Sequence, residues 1–180
     1  MSMTLSPADR ARLVGFANLA PSVHNTQPAR WHFASDGAIW VLADPSRYLA
    51  VGDPTKRDAG LSCGAALEAT ILGLAAFGLE ADSIDLLWGR GASPVPGHDA
   101  AARLSARPGN PAASLAEQMP HRFTWRRAFA PARDEAARAL GAWAVGQGDL
   151  KLVTGAAGIA QMSGYNDRAS LGFVRNRAFR

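Results

Sequence analysis

Between two prolines the chain reads Ala20-Pro21-Ser22-Val23-His24-Asn25-Thr26-Gln27-Pro28. Upstream, Ser6-Pro7-Ala8-Asp9 carries helix-start signals: Ser6 can cap, Pro7 suits the first helical position, and Asp9 sits where a capping-box acid belongs. Leu13, Phe16, Ala17 and Ala20 follow at helical spacing, and Pro21 stops that helix. Downstream, residues 31–34 and 38–43 predict two strands. Asp36-Gly37 between them fits a tight hairpin turn with positive φ at its glycine. The loop therefore joins a helix to a sheet.

Within that loop, Ser22, His24, Asn25 and Gln27 place hydrogen-bonding side chains in six positions. Amides of Asn and Gln donate and accept at once, which suits the mixed edge of a heteroaromatic ring. The same residue types also build an Asx-type turn that satisfies only its own backbone.

Beyond the hairpin, residues 44–58 are loop-like. A long apolar helix is predicted over 61–79, with small residues Cys63, Gly64, Ala65, Ala66, Ala69 and Gly73 that allow close packing. It is apolar nearly all round, the mark of a central buried helix or an interface helix. Residues 83–88 predict a strand. Residues 91–112, rich in Gly, Pro and Ala, are the best linker candidate, with a short strand around 102–106 inside it. Helices are expected over 113–127, from Pro131 to about Val145 and over 156–180, with a short strand at 150–153. The resulting division is 1–90, a linker 91–112, and 113–180.

Composition narrows the classes. Hydrophobic residues make up 48% of the 180, and charged residues 19%, which excludes intrinsic disorder. One cysteine excludes a disulfide scaffold and a Cys-rich zinc site. The longest apolar-plus-glycine run, Ile71 to Leu79, is nine residues, against about 20 for a membrane span. No membrane partner is expected, no signal peptide is read in residues 1–20, and the expected location is cytoplasmic. His24, His32, His98 and His121 show no metal-ligand spacing, so no metal is expected. There is no P-loop, Gly89-Arg90-Gly91 lacks the third glycine of a dinucleotide fingerprint, and no nucleic-acid motif is present.

Charge is uneven. Residues 1–90 hold 7 basic and 9 acidic residues, a net of −2; residues 91–180 hold 12 and 6, a net of +6. Seventeen of the 19 cations are Arg, whose planar fork suits phosphate oxygens. A GC-rich coding bias would produce the same excess. The densest stretch is His121-Arg122-Phe123-Thr124-Trp125-Arg126-Arg127-Ala128-Phe129. Read as a helix, Arg122 and Arg126 share one face, able to bind a phosphate through charge-assisted forks. A solvated basic helix end, or pairing with Glu117, is the alternative.

Gly60-Leu61-Ser62-Cys63-Gly64 matches G-x-S-x-G, the hydrolase nucleophile elbow. That motif needs a buried strand before it, and Thr55-Lys56-Arg57-Asp58-Ala59 is polar. A helix N-terminus with small packing residues is the expected reading, and hydrolysis at Ser62 a remote one. Cys63 is expected to be a small core residue.

The loop and the basic segment together resemble the flavin-dependent nitroreductase superfamily. Pro21, Ser22, Asn25, Gln27 and Pro28 match its P-S-x-x-N-x-Q-P signature, although the Trp that usually follows is Ala29 here, with Trp at 31. Arg122, Thr124 and Arg126 match its R-x-[ST]-x-[RK] phosphate motif. The loop precedes the basic motif, an order that resembles the double-length Acg-like branch, in which two halves are fused. Asp53-Pro54 with Arg57, and Ser62 to Leu67, read as features of the same branch. Set against it, the chain holds the first half and the opening elements of the second.

The resemblance implies a nitroreductase-like α+β fold and FMN at the junction of two halves. Arg122, Thr124, Arg126 and Arg127 would bind its phosphate; Pro21, Ser22, Asn25 and Gln27 would contact its ring. It implies NAD(P)H as electron donor, a nitro compound or quinone as small-molecule acceptor, and no side chain acting as general acid, so no catalytic residue is assigned. Flavin binding without turnover is the alternative. A half-complete cleft further implies a homodimer, since large exposed apolar surfaces are normally covered.

Overall fold

The computed structural model describes residues 5–109, 114–125, 127, 130, 133–148, 150, 152–153 and 155–175. The chain forms two compact units, Met1–Arg122 and Phe123–Arg180.

In the first unit, α1 spans Pro7–Ala17. The Ser6 hydroxyl accepts from the Asp9 amide at 3.2 Å and donates to the Asp9 carboxylate at 2.7 Å, the expected cap. β1 (Ala29–Phe33) and β2 (Ile39–Ala43) form the hairpin, with Gly37 at φ 86° in its turn. α2 runs over Arg57–Leu74 and tightens into a 3₁₀ turn at Ala75–Phe77. Gly78 at φ 65° ends it, the left-handed C-terminal position that glycine fills without strain. Leu79 therefore opens β3 (Leu79–Leu86), which begins and ends earlier than residues 83–88 alone suggest.

β4 spans Asp99–Pro108, ten residues inside the Gly/Pro/Ala-rich stretch 91–112. The sheet order is β1-β2-β4-β3, antiparallel throughout, so β4 is an inner strand. The first unit thus continues to Arg122, past the 1–90 and 91–112 bounds. α2 lies against all four strands and α1. Its Ala59, Ser62, Cys63, Ala66, Leu67, Ala69, Thr70, Gly73 and Leu74 are buried. By length and composition Arg57–Phe77 would suffice to cross a membrane, with a mean hydropathy of 1.5; here it is the central helix of an α+β core with Leu13, Ile39, Val41 and Leu104.

Two glycines set close approaches. A Cβ at Gly73 would meet Leu13 Cδ1 at 2.7 Å, so α1 packs directly on the helix backbone; one at Gly60 would meet the Trp88 indole at 2.9 Å. Against the core, Trp31 Nε1 donates to Thr70 Oγ1 at 2.9 Å, and that hydroxyl donates to the Ala66 carbonyl at 2.7 Å. Asp53, 6% exposed, accepts from the Ala59 amide at 2.9 Å and so caps the start of α2 from outside the helix. Lys56 at φ 58° turns the chain to allow it.

The segment 113–127 is not one helix. α3 covers Ser114–Gln118, followed by a 3₁₀ turn at Met119–His121. Pro120 has no N–H to continue an α-helix, and Arg122 is extended at φ −64°, ψ 132°. In the second unit, α4 spans Asp134–Val145 and α5 spans Ala156–Arg175. Leu150, Leu152 and Val153 carry no strand assignment.

Candidate functional site

The loop 20–28 is held by short hydrogen bonds. Ser22 enters it extended, at φ −137° and ψ 156°. Its hydroxyl accepts from the Gln27 amide at 2.9 Å, and its carbonyl accepts from the Asn25 amide at 3.0 Å. The Val23 amide donates at 3.0 Å to Ser62 Oγ on α2, and that hydroxyl donates to the Asp58 carbonyl at 2.7 Å.

Three non-glycine residues here have left-handed backbone: His24 at φ 45°, Asn25 at 56° and Gln27 at 46°. Asn and His enter this region more readily than other non-glycine residues; Gln enters it rarely. Such conformations persist only where the surroundings over-determine them, and they cluster at ligand clamps. His24, Asn25 and Gln27 are exposed. Thr26 Oγ1 is buried without a hydrogen-bond partner, which is uncommon for a hydroxyl. Beside the loop lies a groove of about 300 Å³, lined by Pro21, Ser22, Val23, Asp58, Leu61, Ser62 and Ala65.

Arg122 reaches the same loop. Its Nε and Nη2 donate to the Leu19 carbonyl at 3.2 and 3.1 Å. Pro21, Ser22, Asn25, Gln27 and Arg122 therefore belong to one region of the first unit. Thr124 and Arg127 fall in the second unit, where both are exposed. Arg126 lies outside the described residues. The helix expected to carry Arg122 is not present at residues 122–125, and Arg122 itself is extended.

Ser62 is not a nucleophile. It is 5% exposed, stands inside α2 and not after a strand, and its hydroxyl is engaged as both donor and acceptor. Cys63 is 1% exposed. Burial, helped by the negative charge of Asp99, pushes its thiol up to about 12, so it holds its proton and is inert. Among the described residues no group of three or more His, Cys, Asp or Glu could hold a metal ion.

Other polar groups were not singled out by the sequence patterns. The Tyr48 hydroxyl donates to Asp99 at 2.8 Å, and Lys56 Nζ lies 3.6 Å from the same carboxylate oxygen. Burial first, and the Asp99 hydrogen bond next, raise the phenol well above its ordinary value. These partners lie 51 and 43 residues apart in the chain, so no local spacing reveals them. A larger groove of about 580 Å³ has Leu61, Leu67, Leu86 and Trp88 in its walls, with Arg57 and Arg90 also lining it.

No family model matches the chain. Two proteins of Mycobacterium tuberculosis, each named "Putative NAD(P)H nitroreductase", are similar to part of it. One is 40% identical over 62 residues, which is 34% of this chain and 18% of that protein. The other, acg, is 41% identical over 69 residues, 38% of this chain and 20% of its own length. The matched stretch thus spans about a fifth of these relatives. Among solved structures, a nitroreductase family protein of Clostridium difficile aligns over 69% of this chain and 85% of its own, at 14% identity and a TM-score of 0.46. A Desulfovibrio desulfuricans nitroreductase solved with FMN aligns over 62% and 78%, at 19% identity and a TM-score of 0.43. By sequence, over roughly a third of its length, the chain is similar to two proteins that carry the NAD(P)H nitroreductase name.

Proposed function

We propose that this chain is an FMN-binding oxidoreductase of the nitroreductase type, drawing on NAD(P)H and reducing a nitro compound or quinone. The observation that carries the reading is the strained loop. Left-handed backbone at three non-glycine residues presents the exposed Asn25 and Gln27 side chains beside a buried Thr26 hydroxyl that lacks a protein partner. The sequence similarity to NAD(P)H nitroreductases supports the same conclusion.

The donor set fits FMN. The amides of Asn25 and Gln27 offer both hydrogen-bonding senses to the ring edge. Pro21 and Ser22 line the adjoining groove, and Ser22 keeps the loop closed through Gln27. Arg122 brings a permanent cation to the loop through Leu19. Two of its five N–H groups are used there, which leaves the outer fork for a phosphate. FMN, when bound, supplies the hydride and electron chemistry; the chain binds, orients and shields it. A homodimer belongs to this reading, since Leu61 and Leu86, 59% and 63% exposed, line one groove with Leu67 and Trp88.

The test is turnover. FMN-loaded protein should oxidise NADH or NADPH in the presence of a quinone or nitroaromatic faster than the same concentration of free FMN. A rate equal to free FMN, with flavin retained, leaves a flavin-binding protein without turnover. No retained flavin removes the proposal.

A further inference from the structure

We infer that Ser62 is a positioning residue whose hydroxyl, fixed on α2, sets the conformation of the loop through which Asn25 and Gln27 meet a ligand. The identity of that ligand rests on the flavin reading above; the positioning role rests on the geometry.

Val23 opens a 3₁₀ turn, Val23–Asn25. An N–H at the start of such a turn has no partner within it. The neighbouring side chain does not supply one, because the Ser22 hydroxyl is taken by the Gln27 amide. Ser62 supplies the acceptor from 39 residues away, at 3.0 Å. Its own proton is directed to the Asp58 carbonyl at 2.7 Å, so a lone pair is left facing Val23. Ser62 as a residue is 5% exposed, so water does not compete freely for its hydroxyl.

A serine at this place is not explained by the helix. Serine is a poorer helix former than alanine, and its back-bond to the preceding turn competes with the helix ladder. The bond to Val23 is what the hydroxyl adds. Left-handed residues begin at the next position, His24, and recur at Asn25 and Gln27. Strain of that kind must be held from outside. Two hydroxyls hold it: Ser22 closes the loop on itself, and Ser62 fastens its entry to the central helix. The G-x-S-x-G letters around Ser62 thus mark an anchor for the loop.

Ser62→Ala removes the acceptor, and Ser62→Cys keeps the volume with a weak acceptor. Ser62→Thr keeps the hydroxyl. Hydrogen–deuterium exchange of residues 22–27 and FMN titration are measured on all four proteins. Loop exchange in the Ala and Cys variants should quicken about tenfold, the consequence of one lost hydrogen bond. FMN should bind about tenfold more weakly, while exchange in the second half of α2 stays as in wild type. Thr should restore both. Unchanged loop exchange in the Ala and Cys variants overturns the proposal. Uniformly faster exchange through α2 and the sheet does so too, because it makes Ser62 a folding residue. If Ser62→Ala does not fold, Ser62→Cys decides. If wild type binds no FMN, the flavin reading fails and the exchange data alone decide the role of Ser62.

Discussion

Arg122 donates two hydrogen bonds, at 3.2 and 3.1 Å, to the Leu19 carbonyl. That contact joins positions 103 residues apart and places a cation two residues before Pro21. The exposed guanidinium adds little to stability, since solvated charge-assisted bonds contribute about 1 kcal/mol or less. Its contribution is expected in binding. Arg122→Ala should leave the unfolding free energy from urea denaturation within about 1 kcal/mol of wild type and weaken FMN binding about tenfold, with riboflavin, which has no phosphate, unaffected. Equal losses for FMN and riboflavin would show that Arg122 does not act on the phosphate.

Gly73 decides how closely α1 approaches α2. Alanine in a helix interior ordinarily gains about 1 kcal/mol over glycine. Here the added Cβ would meet Leu13 Cδ1 at 2.7 Å and Phe16 Cδ1 at 2.9 Å. Leu13 is 0% exposed and cannot swing away. Gly73→Ala should therefore destabilise by about 1–3 kcal/mol, the usual cost of overpacking. A stabilised variant in chemical denaturation would mean that the α1–α2 distance is not fixed by this glycine.

Alkali should destabilise the first unit through the buried Cys63 thiol and the half-buried Tyr48 phenol. The folded protein holds the Cys63 proton to about 12, against an ordinary 9.0, and holds the Tyr48 proton above its ordinary 10.0. The unfolded chain releases both earlier. Stability from these groups is therefore complete below pH 9 and falls as pH rises from 9 toward 12, by up to about 1.4 kcal/mol per pH unit for each titrating group. Cys63→Ala should flatten the fall between pH 9 and 10. An unchanged slope there would show that the thiol titrates normally.

Local signals were legible and long-range ones were not. The Ser6 cap, the Gly37 turn and the apolar α2 each depend on residues within one or two turns of chain. β4 lacks that kind of signal. Its Ala100-Ala101-Ala102 run has no β-branched residue, and it becomes a strand by pairing with β2 on one side and β3 on the other. Small residues suit it because it lies under α2, where Ala101 and Ala102 are buried. The site divides similarly. Loop 20–28 stood out as a proline-bounded polar stretch, but three left-handed residues in four positions, Gln27 among them, have no local sequence signal. The tie to Ser62 spans 39 residues. In the basic segment, the i to i+4 spacing of Arg122 and Arg126 suggested a helix, but the described residues 122–125 are not helical.

The most direct measurement is titration of the flavin-free protein into FMN, followed by flavin fluorescence, with Asn25→Gly as comparison. Glycine keeps the φ of 56° at that position and removes the amide side chain. Saturable quenching at micromolar protein or below, weakened about tenfold in Asn25→Gly, is the expected result. Fluorescence unchanged by micromolar protein would contradict the flavin site, and equal affinity in the two proteins would take Asn25 out of it.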